Sequence, residues 1–160
     1  MFLHKYNARD FGSLYITADE EALTGIYLDE EEMLQALQNQ EAVWEPHPIL
    51  MELSRMLDSY FSGEDISFEL PLKITGTPFQ KQVWEYMKTI PYGETRSYSD
   101  TAAAVGSPKA VRAVGQASRR NPFPIVVPCH RIIGKNGALT GYSGSKTNLK
   151  EILLGLESRQ

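Results

Sequence analysis

The chain has 160 residues, 42% of them hydrophobic and 22% charged, enough for one ordinary globular domain or two small ones sharing an interface. No apolar run approaches the ~20 residues of a membrane-spanning helix, and Met1 to Asp10 mixes His4, Lys5, Arg9 and Asp10 with apolar positions, unlike a secretory leader, so a soluble cytoplasmic protein is expected. The formal charge of −4 is unevenly spread: residues 1–72 carry 3 Lys/Arg against 15 Asp/Glu and residues 73–135 carry 10 against 3, so only the middle segment has the balance of a polyanion-binding surface.

Phe2 to Tyr6, Ser13 to Thr17 and Leu23 to Leu28 are short, partly alternating segments rich in aromatic and β-branched residues, separated by polar turns. They predict an antiparallel meander. The acidic stretch Asp29 to Gln40 leaves room for a short helix. Pro48 to Phe61 spaces Leu50, Leu53, Leu57, Tyr60 and Phe61 at helical intervals, with Gly63 as the closing residue. This half predicts helix on sheet and holds no chemical constellation.

The composition changes near residue 75, where a linker is expected. Gly76-Thr77-Pro78 reads as a helix start, Thr77 the N-cap and Pro78 the first helical residue, and Phe79, Val83, Trp84 and Met87 mark one face as far as Thr89. After a turn at Pro91 to Glu94, Ser97 to Val105 predicts a second, Ala-rich helix stopped by Gly106. Ser107-Pro108 predicts the start of a third, running through Val111, Val114 and Ala117 towards Arg119. Three short helices joined by tight turns form a helix-turn-helix pattern. In the third, Ala110, Ala113 and Ala117 permit close approach to a nucleic-acid backbone, and Lys109, Arg112, Arg119 and Arg120 supply positive charge. A plain bundle helix with a basic outer face has the same composition.

The single cysteine, Cys129, cannot form an intramolecular disulfide or anchor a Cys-rich zinc site; it is either an inert core thiol or a reactive one. It follows the β-prone run Ile125-Val126-Val127 and lies in Pro128-Cys129-His130-Arg131-Ile132-Ile133. His130 and Arg131 bring a hydrogen-bonding and a cationic group into the same few residues, the kind of neighbours that stabilise a thiolate. On an extended segment successive side chains leave opposite faces, so His130 would reach the sulfur through a bridging water.

Pro128-Cys129-His130-Arg131, preceded by Asn121-Pro122 and an apolar run and followed by Gly141-Tyr142-Ser143-Gly144, resembles the active-site signature of the O6-alkylguanine-DNA alkyltransferases, the methylated-DNA–protein-cysteine methyltransferases. The resemblance covers roughly residues 76–157; the first 75 residues agree only in general layout. It implies an α+β chain. Residues 1–75 would form a ribonuclease H-like supporting domain with a three-stranded antiparallel sheet and a helix. Residues 76–160 would form a helical, winged-helix-like domain carrying the active-site cysteine.

The implied activity is irreversible, stoichiometric transfer of an alkyl group from O6-alkylguanine, and from O4-methylthymine, in flipped-out nucleotides of double-stranded DNA to Cys129. It needs no metal, cofactor, membrane or protein partner, and a monomer is expected. Glu157 would hold His130, which draws the thiol proton through a water, and Asn121 would brace the turn presenting Cys129. Tyr98 would press on the phosphate beside the target and donate a proton or hydrogen bond to the guanine oxygen as it leaves, while Arg112 fills the vacated stack. Ser143, Tyr142, Ser118, Pro124 and the backbone near Ile132 would line the pocket, and Ser99, Ser107 and Lys135 would meet the DNA backbone.

The sequence departs from the pattern at Gly144-Ser145-Lys146-Thr147, where many relatives show a second glycine. The stretch before the last helix, expected over Lys146 to Leu154, is one residue longer than in some relatives, so Glu151 competes with Glu157 as the acid. Ser118 replaces a larger apolar residue of some relatives, which would leave a roomier pocket. Two other readings of the residues stand beside this one: a non-catalytic winged-helix DNA binder with a buried thiol, and a cysteine hydrolase. The hydrolase would need a separate oriented histidine, and His4 and His47 have no supporting motif.

Overall fold

Strand-forming residues fill the start of the chain, and the computed structural model, which describes residues 1–8, 10–134 and 147–158, folds them into a three-stranded antiparallel sheet. Its strands β1 (Phe2–Ala8), β2 (Gly12–Ala18) and β3 (Leu23–Tyr27) lie in chain order, in register from Phe2↔Ala18 to Ala8↔Gly12 and from Tyr15↔Tyr27 to Thr17↔Gly25, with a register shift before Ala18↔Leu23. β2 is buried on both faces from Leu14 to Ala18, as suits a central strand. α1 (Glu30–Ala36) is capped by the Asp29 carboxylate, which accepts from the Glu32 N–H at 2.8 Å, and three glutamates fill its positive first turn.

The second helix, α2 (Pro48–Phe61), buries Leu50, Leu53, Leu57 and Tyr60 and packs on β1 and β2. Gly63 at φ 96° follows it, a conformation that glycine adopts without a Cβ clash. These elements belong to the first of two compact units, Met1–Ile74; the second is Thr75–Gln160.

In the second unit Thr77 and Gln80 form a reciprocal capping box at the start of α3 (Pro78–Lys88), whose Val83, Trp84 and Met87 are buried. A second capping box, Ser97 with Asp100, opens α4 (Tyr98–Ala104), and Gly106 at φ 80° ends the chain's path from it. α5 (Val111–Arg119) begins four residues later than Ser107, the expected N-cap. The Ser107 N–H is tied back to the Ala102 carbonyl at 2.9 Å and its own carbonyl accepts from Ala110 at 2.8 Å, so Ser107-Pro108 closes a tight turn before the helix. α3, α4 and α5 pack on one another, and the Trp84 indole N–H donates to the Ala117 carbonyl at 2.9 Å.

The apolar run before the cysteine is a turn instead of the expected extended segment. Pro122, Pro124 and Pro128 remove three ladder donors, and Ile125 sits at φ 77° while the Val127 N–H closes on the Phe123 carbonyl at 2.8 Å. Cys129–Arg131 is a single 3-10 turn, leading into β5 (Ile132–Ile133), which pairs in parallel with β4 (Arg96–Ser97). The last helix, α6 (Thr147–Glu157), extends three residues beyond Leu154 and so carries Glu157 in its final turn.

Candidate active site

A left-handed backbone at a β-branched residue costs roughly 1–3 kcal/mol and persists only where its surroundings impose it. At Ile125 the surroundings are hydrogen bonds from Asn121. Its amide nitrogen donates to the Val127 carbonyl at 2.7 Å and its amide oxygen accepts from the Phe123 N–H at 2.9 Å. The braced turn delivers Cys129 into the interior, 1% exposed. Burial pushes the Cys129 thiol up to about 11, against the opposing pull of Asn121 and the positive charge of Lys150.

His130, on the same 3-10 turn, is fully buried, and its Nε2 lies 2.6 Å from Glu157 Oε2. Glu157 accepts from three other donors: Arg131 Nε to Oε1 at 2.9 Å, Arg131 Nη2 to Oε2 at 3.0 Å, and the Gly93 N–H to Oε1 at 3.2 Å. A carboxylate surrounded in this way has acceptor capacity only, so the His130 hydrogen belongs on Nε2 and the lone pair on Nδ1. Nδ1 is buried and has no hydrogen-bond partner among the described residues. Desolvation lowers the His130 pKa, outweighing the opposite pull of Glu157, which keeps the ring neutral and able to accept a proton.

Arg131 was expected to stabilise the thiolate, but its guanidinium is committed elsewhere, gripping Glu157 with two nitrogens and the Ile90 carbonyl at 2.7 Å with a third. Gly93 contributes a backbone donor that the sequence reading did not assign. Its φ of 82° aims the Pro91–Glu94 turn at Glu157. Lys150, also unassigned, is fully buried on α6 and donates to the Tyr98 hydroxyl at 3.5 Å. A signal for it was present: Lys150, Leu153 and Glu157 stand at i, i+3 and i+7, so two charged residues share the buried stripe of one helix. The competing acid, Glu151, is exposed on the same helix, and Glu157 is the partner of His130.

Tyr98 is half-buried at the first position of α4. Arg112, Ala113, Gln116 and Arg119 lie on the exposed face of α5, Arg120 is exposed just beyond it, and Ser99 is exposed and Ser107 half-buried nearby in sequence. Ala117 does not share that face; it is buried against α3 beneath the Trp84 indole, so Ala113 is the small exposed residue. Pro124, Ile132 and Ser118 are buried, and the Ser118 hydroxyl has no partner among the described residues. Lys135, Tyr142 and Ser143 lie outside the described residues, as does the Gly144-Ser145 departure. No group of three or more His, Cys, Asp or Glu side chains among the described residues could hold a metal ion.

Residues 78–159 match the family model of the 6-O-methylguanine DNA methyltransferase DNA-binding domain, and residues 1–74 match that of its ribonuclease-like domain. The chain belongs to the 6-O-methylguanine DNA methyltransferase family. It is 54% identical to the constitutive methylated-DNA–protein-cysteine methyltransferase of Bacillus subtilis over 91% of this chain and 89% of that protein. It is 47% identical to the methylated-DNA–protein-cysteine methyltransferase of Methanosarcina acetivorans over 91% and 92%. Among solved members, the Mycobacterium tuberculosis O6-methylguanine methyltransferase superposes with a TM-score of 0.85 at 38% identity, covering 98% of this chain and 92% of that one. The same organism's OGT in complex with DNA gives 0.83 at 40% identity, over 99% and 93%. The α+β fold expected from the sequence is that of the family.

Proposed function

We propose that this protein repairs duplex DNA by moving the alkyl group of O6-alkylguanine, and of O4-methylthymine, onto Cys129 in one irreversible turnover. The observation that carries this reading is the buried Glu157–His130 pair at 2.6 Å, which fixes a neutral imidazole, its Nδ1 without a partner among the described residues, on the same turn as the only cysteine. His130 takes the thiol proton through a bridging water, and the sulfur attacks the alkyl carbon in line as the carbon–oxygen bond breaks. Tyr98 gives a proton to the departing guanine. The product is a dialkyl sulfide, a poor electrophile, so Cys129 is not regenerated and one molecule repairs one lesion.

The target atom lies within the duplex, so the nucleotide must leave the stack at a cost of a few kcal/mol. Arg112, exposed on α5, is proposed to fill the gap from the minor groove, where little sequence is legible. The pocket wall is assigned to Ile132, Pro124, Ser118, Tyr142 and Ser143, and contacts to the DNA backbone to Ser99, Ser107 and Lys135. Residues 76–160 are thereby the DNA-binding and acceptor domain and residues 1–75 the supporting one. The protein acts as a monomer in the cytoplasm, without a cofactor. No helix among the described residues is long and apolar enough to cross a membrane.

Intact-protein mass spectrometry after incubation with a duplex containing O6-methylguanine tests the reading. One added methyl group on the wild type and none on Cys129→Ala is the expected result. An unmodified wild type that still binds the duplex would instead make the protein a lesion binder.

A further inference from the structure

Helical serine and threonine side chains commonly donate to the carbonyl one turn back. In this chain Ser54 does so to Leu50 at 2.9 Å, Ser62 to Asp58 at 2.8 Å and Thr101 to Ser97 at 2.9 Å. Ser118, in the last turn of α5, does not. It is 2% exposed, and its hydroxyl has no partner among the described residues, so the hydroxyl is turned away from the helix backbone. A buried donor in that state is destabilising unless something completes it. Val114, Ala117 and Ser118 form the buried stripe of α5, and Ala117 is covered by Trp84 of α3. Ser118 is joined to the turn that presents the cysteine by a short hydrogen-bonded path. Its carbonyl accepts from the Asn121 N–H at 3.4 Å, the Asn121 side chain donates to the Val127 carbonyl at 2.7 Å, and that same carbonyl accepts from the Cys129 N–H at 2.8 Å.

We propose that Ser118 is a specificity-determining residue whose hydroxyl donates to an oxygen carried on the transferred group, so that O6-hydroxyalkyl adducts of guanine are taken in preference to hydrocarbon adducts of the same size. This deepens the repair reading above and rests on it. A buried polar group that the substrate completes discriminates against an analogue lacking the partner, because the group then stays buried and unpaired. A wall that is merely roomier sorts adducts by bulk alone. Ser118 neither gives nor takes a proton. The sulfur–carbon bond forms and the carbon–oxygen bond to guanine breaks as for a methyl group, the thiol proton goes to His130, the departing guanine is protonated by Tyr98, and the hydroxyl of the transferred chain ends intact in the thioether.

O6-(2-hydroxyethyl)guanine and O6-propylguanine, adducts of nearly equal size placed in the same duplex, test this through the ratio of their single-turnover transfer rates to Cys129. The intrinsic reactivities of the two carbons cancel when that ratio is compared between proteins. Ser118→Ala keeps the room and removes the hydroxyl, and the ratio of hydroxyethyl to propyl transfer should fall on the order of tenfold. Ser118→Thr and Ser118→Val differ from each other by a hydroxyl for a methyl group, so they separate polarity from bulk. Ser118→Thr should keep the preference and Ser118→Val should lose it. A ratio that is the same in wild type and Ser118→Ala, or the same in Ser118→Thr and Ser118→Val, would overturn the proposal. A wild type that takes up no alkyl group from these duplexes or from one containing O6-methylguanine would instead defeat the repair reading beneath it.

Discussion

In the N-terminal unit the buried polar residue Thr17 is satisfied within the sheet, its hydroxyl 2.7 Å from that of Thr24 and 3.4 Å from the Gly25 carbonyl. The one non-glycine residue there with positive φ among those described, Asp10, sits in a turn where aspartate tolerates that conformation. The C-terminal unit buries Lys150, Glu157, His130 and Ser118, leaves His130 Nδ1 and the Ser118 hydroxyl unpartnered among the described residues, and holds Ile125 in a backbone region β-branched residues avoid. Rules that a scaffold keeps are broken around one sulfur, which is where strain and buried charge are useful to chemistry. The contrast supports the proposal that one unit is structural and the other reactive.

Glu157→Ala attacks the contrast at its centre. It leaves the buried His130 ring and the half-buried Arg131 guanidinium without their carboxylate, and it should cost about 3–5 kcal/mol in urea denaturation together with most of the transfer rate. A loss under 1 kcal/mol would mean the cluster is not the keystone of its unit. Asn121→Ala removes both hydrogen bonds that brace the Ile125 turn and should cost about 1–3 kcal/mol, with slower transfer from a misplaced thiol. Unchanged transfer kinetics would detach the turn from the chemistry.

The pH dependence of stability has a definite sign. His130 is held below its ordinary value of 6.5 in the folded state by burial, so the unfolded chain binds more protons as the medium is acidified. The stability it contributes is complete above about 6.5 and is lost as pH falls through the lower folded value. Thermal melts of wild type and His130→Asn should converge in acid relative to their separation at pH 7.5, and a constant separation would contradict the assignment. The smallest effect is expected in the other unit. Tyr6→Phe removes a 2.7 Å hydrogen bond to Asp58 and should cost about 0.5–1.5 kcal/mol while leaving the transfer rate unchanged. A slowed reaction would show that the first unit is more than a scaffold.

The sequence disclosed the parts governed by local rules. Leucine spacing gave α2, and Thr77-Pro78 gave the start of α3. It misplaced the start of α5 because Ser107 looked like an N-cap, whereas its N–H closes the end of α4 on the Ala102 carbonyl. The run Ile125 to Val127 has strand propensity, but the prolines around it and the Asn121 bridge make it a turn. At the site, the motif identified Cys129, His130 and Asn121 because they are close in the chain. Lys150 and the Gly93 donor escaped because what they do depends on α6 lying against the 3-10 turn and the Pro91–Glu94 loop. Arg131 was noticed for its charge and given the wrong recipient.

The most direct test of the account is to challenge the protein with an excess of O6-methylguanine duplex, follow repaired base over time, and map the modified peptide. The account predicts a burst of one repaired base per protein molecule followed by no further turnover, with the methyl group on the peptide containing Cys129. Continued turnover, or methyl transfer to any other residue, would contradict it.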